Sequence, residues 1–217
     1  MNNDGQQITH QVYEDPDIVE GYIKRNALDP KQKELIVSFS KTIEGKKVLD
    51  LGCGPGHESY IFSELGFDVT GLDFSSEMIR RAKDLKDSKN KPTFVVGDMT
   101  RLNRYFSENQ FDAIWASASL LHIRPSDMQA TLEGMTSISK NGAKIFIGLK
   151  GGSGTLMADE DKYGKKMQRE FTLWSKEQFL SEVKQYGWNL DDFHSKEGSE
   201  FLGQPTQWLQ FFFTVVK

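Results

Sequence analysis

The sequence predicts an α/β fold, a Rossmann-like doubly wound sheet of seven strands, mostly parallel, with an antiparallel C-terminal strand. Short apolar strands alternate with helical segments between residues 47 and 150, which implies right-handed crossovers and a sheet covered on both faces. The first strand runs directly into a glycine-rich loop. The last two apolar segments follow each other with no helix between them, which indicates an antiparallel pair closing the sheet's edge.

Two helices are expected before the sheet. Residues 1–15 are polar and are expected to be loosely ordered, with no basic and apolar segments that would make a signal peptide. The segments DPDIVEGYIKRN (15–26) and DPKQKELIVSFSKT (29–42) each open with Asp-Pro, an N-cap followed by proline at the first helical position.

The central strands and helices follow in alternation. The predicted strands are KVLDL (47–51), FDVTGLD (67–73), PTFVVGD (92–98), FDAIWASAS (111–119) and AKIFIGLK (143–150). The predicted helices are HESYIFSEL (57–65), SSEMIRRAKDL (75–85) and SDMQATLEGMTSIS (126–139), the last ending at Asn141-Gly142.

The C-terminal part breaks this pattern. Residues 151–170 are polar and glycine-rich without clear periodicity, and a loop of this length is usually functional or disordered. We therefore expect a lid loop there. SKEQFLSEVKQYG (175–187) is a helix with a serine-to-glutamine capping box, and WNLDDF (188–193) and LQFFFTVV (209–216) are strands.

Length and composition indicate one ordinary globular domain. The chain has 217 residues, 37% hydrophobic and 27% charged, with a net charge of −4 and one cysteine. We expect a single domain over 1–217, with an N-terminal cover (1–44), a cofactor-binding core (45–150), and a lid loop, last helix and C-terminal hairpin (151–217). No apolar run approaches the roughly 20 residues of a membrane span, and the mild acidity disfavours a nucleic-acid partner. The lone cysteine fits a reducing, cytoplasmic compartment.

The glycine loop predicts a nucleoside-bearing ligand. Glycines let the backbone approach a ligand, the following helix offers free N–H groups, and Asp73 ends the second strand where it can accept both ribose hydroxyls. The loop reads Gly52-Cys53-Gly54-Pro55-Gly56, with Asp50 just before it, instead of G-x-G-x-x-G. A carboxylate there is awkward beside a pyrophosphate and suits a cation, which disfavours a nicotinamide oxidoreductase and favours S-adenosylmethionine.

The motifs resemble those of the class I S-adenosylmethionine-dependent methyltransferases. They are VLDLGCGPG, VTGLDFSSEMIRRA, VVGDM, FDAIWASASLLHI and ISKNGAKIFIG, which occur in order over roughly residues 45 to 150. The segments ASLLH and K-G-G-x-G extend the resemblance to a branch of small bacterial methyltransferase-domain enzymes (type 11/25-like).

The resemblance implies a set of cofactor contacts. Gly52, Cys53 and Gly54 would lie along the methionine and ribose, and Asp50 would polarise the loop or reach the ammonium through water. Asp73 would bind the ribose, Phe74 and Met78 would flank the adenine, and Asp98 and the Met99 N–H would bind its edge. The Ala116 carbonyl would contact the ammonium, while Tyr13, Tyr22 and Arg25 would cover the cofactor. No metal site is expected.

The sequence says less about the residues that bind the methyl acceptor. His122, just after the fourth strand, is the candidate general base, with a structural role as the alternative. Lys150, Tyr163, Arg169 and Trp174 are candidate substrate residues because they lie in or beside the long loop. We expect methyl transfer to O or N of a small molecule, with S-adenosyl-L-homocysteine as the product. The alternatives are an RNA or protein methyltransferase and a module that binds the cofactor without catalysis.

Overall fold

The computed structural model describes residues 5–26, 29–84, 91–198, 201 and 206–217. Three helices precede the sheet: α1 (Gly5–Glu14), α2 (Pro16–Arg25) and α3 (Pro30–Ser40). Asp15 and Asp29 cap α2 and α3 through their side chains, as the two Asp-Pro pairs predict. The prediction of loose order before residue 15 is wrong over 5–14. The α1 helix is polar in sequence, and it is held by a few buried side chains, among them Thr9 and Tyr13.

The main sheet has seven strands and confirms the predicted fold class. The first five strands are β1 (Lys47–Leu51), β2 (Asp68–Asp73), β3 (Thr93–Val96), β4 (Phe111–Ser117) and β5 (Ser139–Lys150). They pair in parallel in the order β3-β2-β1-β4-β5. The chain therefore winds outward in both directions from the gap between β1 and β4, which is where open α/β sheets place their ligands.

Three helices cross over between these strands: α4 (His57–Glu64), α5 (Ser76–Asp84) and α6 (Pro125–Ile138). The predicted end of α5 at residue 85 lies outside the described residues. The α6 helix stops earlier than Asn141-Gly142, because Ser139 is already extended and opens β5.

The predicted lid loop is wrong: these residues form an antiparallel hairpin of two strands, β6 (Gly154–Lys162) and β7 (Lys165–Leu173), separate from the main sheet. Tyr163 and Gly164 form its two-residue turn with φ of 59° and 81°. Positive φ at both positions is typical of a type I′ hairpin turn, which glycine favours because it has no Cβ.

The C-terminal elements agree with the prediction. The helix α7 (Lys176–Val183) starts with the Ser175–Gln178 capping box, and β8 (Trp188–Glu197) and β9 (Gln207–Val215) complete the main sheet. The β9 strand pairs antiparallel with both β5 and β8, and β8 forms the edge.

Aromatic packing fixes one face of the sheet beneath α3 and α4. Trp115 and Phe146 stack at 3.9 Å between ring centroids, and Phe39 and Phe62 contact Trp115 from the helices. Burying such rings stabilises the fold by roughly 1.5–3 kcal/mol each. This packing holds β1, β4 and β5 rigidly, so the loops at their carboxyl ends start from fixed positions. In the part of the chain that the structure describes, no helix is both long and apolar enough to cross a membrane.

Candidate active site

A cleft of about 260 Å³ lies at the carboxyl ends of β1, β2 and β4. Nine of the thirteen predicted cofactor residues and the candidate base His122 have positions in or around it. Its lining includes Tyr13, Tyr22, Gly52, Gly54, Asp73, Phe74, Met78, Asp98, Met99 and His122. Because these residues come from the α1 and α2 helices and from four loops, the cleft exists only in the folded chain.

The glycine loop allows close approach to this cleft. Gly52 has a φ of 77°, and a Cβ at this position would lie 2.3 Å from the Ser119 Cβ. Gly54 has a φ of 50° and open space where a Cβ would be. Gly52 therefore has to be glycine for both packing and backbone reasons, whereas Gly54 exposes its backbone to the cleft.

Asp73 holds the loop in this shape. One carboxylate oxygen accepts from the Gly54 N–H at 2.9 Å, and the other accepts from the Ser75 N–H at 2.9 Å. Burial raises the pKa of Asp73 to about 6, against the effect of these backbone donors. Each carboxylate oxygen still has a second lone pair with which to accept a ribose hydroxyl.

Two more carboxyl groups, those of Asp50 and Glu58, lie at the base of the loop. Asp50 is fully buried, accepts from the Ser59 hydroxyl at 2.5 Å and lines neither of the two clefts described here. Burial raises its pKa well above the ordinary range, and the nearby Glu58 raises it further. Asp50 thus anchors α4 beneath the glycine loop, close enough to polarise the backbone of that loop.

The side of the cleft formed by Phe74, Met78 and Asp98 has an apolar wall and a polar edge. Met78 is buried and Phe74 stacks on His10 with ring centroids 4.0 Å apart. Asp98 caps the following 3-10 turn by accepting from the Thr100 N–H at 2.9 Å, and Met99 is buried beside it. This arrangement places the Asp98 carboxylate at the rim, next to the apolar wall.

His122 belongs to a hydrogen-bonded chain that reaches α1. Its Nδ1 lies 2.9 Å from the Glu170 carbonyl and therefore donates, which leaves Nε2 to accept from the Tyr13 hydroxyl at 3.2 Å. Arg169 donates to the same hydroxyl at 2.5 Å. Burial, together with the nearby Arg169 charge, lowers the pKa of His122 to about 3. The imidazole is neutral at physiological pH, and its basic nitrogen faces Tyr13.

The hairpin holds α1 over the cleft. The Glu170 N–H donates to the Thr9 hydroxyl at 2.7 Å, and Lys165 pairs with Asp15 at 2.8 Å. Arg169 forms a buried ion pair with Glu160 across the two strands at 2.5 Å. The N-terminal helix is therefore the cover of the cleft, and the hairpin is the brace behind it. We call this unit, α1 with β6 and β7, the clamp.

A second cleft of about 630 Å³ adjoins the first at the carboxyl ends of β4 and β5 and the amino end of the antiparallel β9. The residues common to both are Tyr22, Gly52, Gly54, Ser117 and Ala118. Ala118 has a φ of 54°, an unfavourable conformation for a residue with a Cβ, and such strain is typical of functional loops.

Three predicted cofactor contacts need revision. Ala116 is fully buried and lines neither cleft, and Ser117, Ala118 and Ser119 occupy the cleft wall at this strand end. Arg25 and Cys53 line only the second cleft. Burial raises the pKa of the Cys53 thiol well above its ordinary value, so the thiol stays protonated.

The four predicted substrate residues do not line either cleft. Trp174 packs against Phe179 in the core, and Lys150 lies 3.4 Å from the centroid of the Phe201 ring. Tyr163 lies in the hairpin turn against Tyr22, and Arg169 is buried in the clamp. Strand pairing explains the position of Arg169, which β7 turns inward, whereas Lys150 belongs to β5, Tyr163 to the hairpin turn and Trp174 to the segment after β7.

Several lining residues were missed by sequence analysis. They are Gln32, Glu58, Ser119, Trp208 and Gln210. Two of them carry polar atoms that are buried without a hydrogen-bond partner among the described residues, Ser119 Oγ and Gln210 Oε1. For Ser119 and Glu58 a signal existed, since they follow the fourth strand and the glycine loop. Residues on α3 and β9 carried none.

The first cleft fits S-adenosylmethionine on these observations. Ser119 Oγ is buried, has no hydrogen-bond partner among the described residues and lies beside Gly52, so a polar ligand group approaching the loop would supply its missing bond. Asp73 and Asp98 contribute carboxylate acceptors to the same lining, as a ligand with ribose hydroxyls and an adenine amine would require. Within the described ranges, no group of three or more His, Cys, Asp or Glu side chains is arranged to hold a metal ion.

Comparison with known proteins agrees with this geometry. The profile of a family described as a methyltransferase domain matches residues 48–142. A demethylmenaquinone methyltransferase of Renibacterium salmoninarum is 30% identical over 115 residues, 53% of this chain and 46% of that protein. The chain covers less than half of the first curated relatives that it matches, 46%, 24% and 43% of their lengths.

Solved structures share the fold. A methyltransferase of Methanosarcina mazei superposes with a TM-score of 0.72 at 20% identity, covering 87% of this chain and 98% of that one. A 1,6-didemethyltoxoflavin-N1-methyltransferase of Burkholderia thailandensis, solved with its acceptor and S-adenosylhomocysteine, superposes with a TM-score of 0.66 at 15% identity. The superposition covers 95% of this chain and 88% of the Burkholderia protein.

Proposed function

We propose that this chain, which by sequence and fold is a class I S-adenosylmethionine-dependent methyltransferase, transfers a methyl group to O or N of a small-molecule acceptor. One observation carries the proposal. The motif residues Gly52, Asp73 and Asp98 line one cleft, and the unpartnered Ser119 hydroxyl faces its glycine loop.

We assign the cofactor to the first cleft through this chain's own groups. Asp73 accepts from the ribose hydroxyls, and Asp98 with the Met99 N–H binds the adenine edge. Phe74 and Met78 flank the ring, while Gly52, Gly54 and Ser119 lie along the methionine part. Tyr13 and Tyr22 cover the cofactor from the clamp side, and Arg25 and Cys53 bound it from the second cleft.

The protein's contribution to the reaction is mainly orientation. When bound, S-adenosylmethionine supplies a methyl group on a positively charged sulfur that the acceptor displaces in line, leaving S-adenosyl-L-homocysteine. The clamp excludes water from the first cleft, and the rigid ends of β1 and β4 hold the loop against the ligand. Such orientation is worth roughly 7–11 kcal/mol in well-aligned reactions. His122 holds the Tyr13 hydroxyl with Nε2, and we assign it this positioning role ahead of general base.

A small-molecule acceptor is favoured over RNA or protein. The second cleft is bounded by α3 and by the facing ends of β5 and β9, and the net charge of −4 does not favour an RNA partner. Two of the named relatives also act on small molecules by their names, demethylmenaquinone and 1,6-didemethyltoxoflavin. We further infer that residues 1–217 form one domain and that it acts in the cytoplasm.

Isothermal titration with S-adenosylhomocysteine tests the cofactor assignment. We expect micromolar affinity, about −8 kcal/mol, as is ordinary for a buried small ligand. A protein that binds neither S-adenosylmethionine nor its product would refute the proposal. Binding without any release of product over an acceptor panel would favour a non-catalytic binding module instead.

A further inference from the structure

We propose that the second cleft takes an amine acceptor, a small molecule with a protonatable nitrogen beside a flat apolar part. Glu58 binds that nitrogen and takes its proton. This inference rests on the proposed function, because it concerns the acceptor of the same methyl transfer.

The position of the cleft suits an acceptor. It shares the glycine loop and the β4 loop with the first cleft, so a ligand in it reaches the boundary where the two meet. Glu58 and Gln32 line the second cleft alone, and Gln32 donates to both the Glu58 carboxylate at 2.5 Å and the Ser117 hydroxyl at 3.0 Å. Because Ser117 lines both clefts, this network links Glu58 to the boundary.

Glu58 is a partly buried carboxyl group whose known partners carry no charge. Besides Gln32, the Trp115 indole N–H donates to it at 2.8 Å. Among residues 5–26, 29–84, 91–198, 201 and 206–217, no lysine, arginine or histidine forms an ion pair with it. Buried carboxylates are ordinarily paired with a cation. A cation that enters the cleft with the acceptor would supply the missing partner.

Gln210 adds a second hydrogen-bond acceptor. Its side chain is 9% exposed, lines the cleft from β9, and its Oε1 has no partner in the described part of the chain. A ligand that donates hydrogen bonds would satisfy this atom, whereas a carboxylate or phosphate ligand would not. A carboxylate that lacks a cation among the described residues and an amide oxygen that lacks a donor there together favour a nitrogen with several N–H groups.

The walls favour a cation with a flat apolar part. Phe146, Tyr22 and Trp208 contribute aromatic rings to the lining, and aromatic faces attract ammonium groups. The charged residues of the rim are exposed and mixed in sign: Arg25, Lys31 and Lys196 against Asp29 and Glu197. Screening by salt weakens these exposed charges, so the interior groups decide which ligand charge is accepted.

The proton step balances within the protein. An N–H bond of the acceptor ammonium breaks, its proton moves to a Glu58 carboxylate oxygen, and the electron pair stays on nitrogen as the nucleophile. Burial raises the pKa of Glu58, while Gln32, Trp115 and Ser117 lower it by donating to the carboxylate. The carboxyl of Asp50, the phenol of Tyr22 and the thiol of Cys53 are ionisable groups whose pKa values the Glu58 charge raises. A raised pKa makes Glu58 a better proton acceptor than an exposed carboxylate.

Three probes of one shape and different charge test the inference: benzylamine, benzyl alcohol and benzoate, added to the protein saturated with S-adenosylhomocysteine. Binding is followed by tryptophan fluorescence and by isothermal titration. We expect benzylamine to bind at least about tenfold more tightly than the alcohol, as a charge-assisted bond would provide, and benzoate to bind weakest.

Two variants and a control assign the effect. Glu58→Gln should remove the preference for the amine, and Gln210→Leu should weaken benzylamine several-fold. Both should keep the affinity for S-adenosylhomocysteine within about twofold. Glu64→Gln, on the exposed end of α4, should behave as the wild type.

The outcomes separate the two proposals. If the wild type does not bind S-adenosylhomocysteine, the proposed function fails. If it does bind, but benzoate or benzyl alcohol equals benzylamine, the amine inference alone is overturned. A large loss of S-adenosylhomocysteine affinity in Glu58→Gln also overturns it, because Glu58 would then contact the cofactor.

Discussion

At the scale of single residues, the carboxylates of Asp73 and Asp98 differ in how many backbone contacts they hold and in how deeply they are buried. Asp73 is 6% exposed and holds both Gly54 and Ser75, whereas Asp98 lies at the rim and caps a short turn. Asp73→Ala should therefore weaken S-adenosylhomocysteine more than Asp98→Ala, because it removes two charge-assisted contacts of roughly 1.5–3 kcal/mol each and loosens the loop. Isothermal titration of both variants, with circular dichroism as the control for folding, measures this. Equal losses would mean that the ribose does not lie at Asp73.

The raised pKa of Asp73 predicts a pH dependence of cofactor binding. The pKa is about 6, and ribose hydroxyls donate better to the carboxylate than to the neutral acid. Binding is therefore coupled to deprotonation, and affinity should fall by up to about tenfold per pH unit below 6 and level off above it. Titration between pH 5 and 8 measures the profile. An affinity that is flat across this range contradicts the assignment.

The same shift affects stability with the opposite sign. A carboxyl group whose pKa is raised on folding binds its proton more tightly in the folded state. Without ligand, the Asp73 contribution should therefore lower stability as pH rises from about 4 to 6, by roughly 3 kcal/mol at most. Urea denaturation of the wild type and Asp73→Ala across this range isolates the contribution.

His122 should remain neutral in the folded protein. Its pKa of about 3 reflects burial, and the Glu170 carbonyl selects the Nδ1–H tautomer. Long-range proton–nitrogen spectra should show one of the four histidines in this tautomer at pH 5.5, and His122→Gln should remove its signals. Stability should fall as pH falls below about 6.5, because the unfolded imidazole then takes up a proton that the folded one does not. A titration midpoint near 6.5 for His122 contradicts the buried network.

The positions of site residues were predictable where a motif fixes them. Gly52, Asp73 and Asp98 lie at or just after strand ends, so their place at the sheet edge is set by local sequence. Glu58 lay beside the glycine loop, but its lack of a cationic partner among the described residues, like the unmatched amide oxygen of Gln210, depends on packing between distant elements.

At the scale of elements, the clamp depends on Arg169. It connects β7 to Glu160 of β6 and to the Tyr13 hydroxyl of α1. Arg169→Met should release α1 while leaving the main sheet intact. The loss in free energy of unfolding should be below the roughly 3–5 kcal/mol of a broken buried ion pair, because Lys162 still contacts Glu160. Hydrogen exchange should rise in residues 5–14 and stay unchanged in 47–51. Gln168→Ala, on the exposed side of β7, is the matched control. Unchanged exchange in 5–14 would contradict the brace.

The hairpin itself escaped prediction for a physical reason. Its inward positions include Ala158, Glu160, Met167 and Arg169, so two of the buried side chains are charged and pair with each other. When charged residues occupy the inward positions, the sequence lacks the alternation of apolar and polar residues that predicts a strand. The turn carried a signal, since Tyr163-Gly164 between lysines is compatible with two positive φ angles. The strands β1 and β4 and the second half of β5 were predictable because they are mostly buried runs of apolar residues.

At the scale of the whole molecule, both clefts depend on the order β3-β2-β1-β4-β5-β9-β8. The reversal between β1 and β4 places the glycine loop beside the β4 loop, and the antiparallel β9 brings Gln210 next to Gly148 of β5. The first cleft is therefore a property of the parallel half, and the second needs the C-terminal strands. Truncation after β5 should remove one wall of the second cleft, including Trp208 and Gln210, and leave the lining of the first cleft in place.

The clamp and the sheet should unfold as one unit, because α1 contacts the cofactor cleft and the hairpin together. We expect a single calorimetric transition, with equal calorimetric and van't Hoff enthalpies. S-adenosylhomocysteine at 100 times its dissociation constant should stabilise the fold by about 2.7 kcal/mol, which for a chain of this length raises Tm by roughly 5–10 °C. In Arg169→Met α1 is released from the hairpin, so the increase in Tm caused by S-adenosylhomocysteine should be smaller, while the unfolding transition of the sheet remains. Two transitions in the wild type, only one of them moved by ligand, would mean that the clamp is an independent unit and that the cleft closes without it.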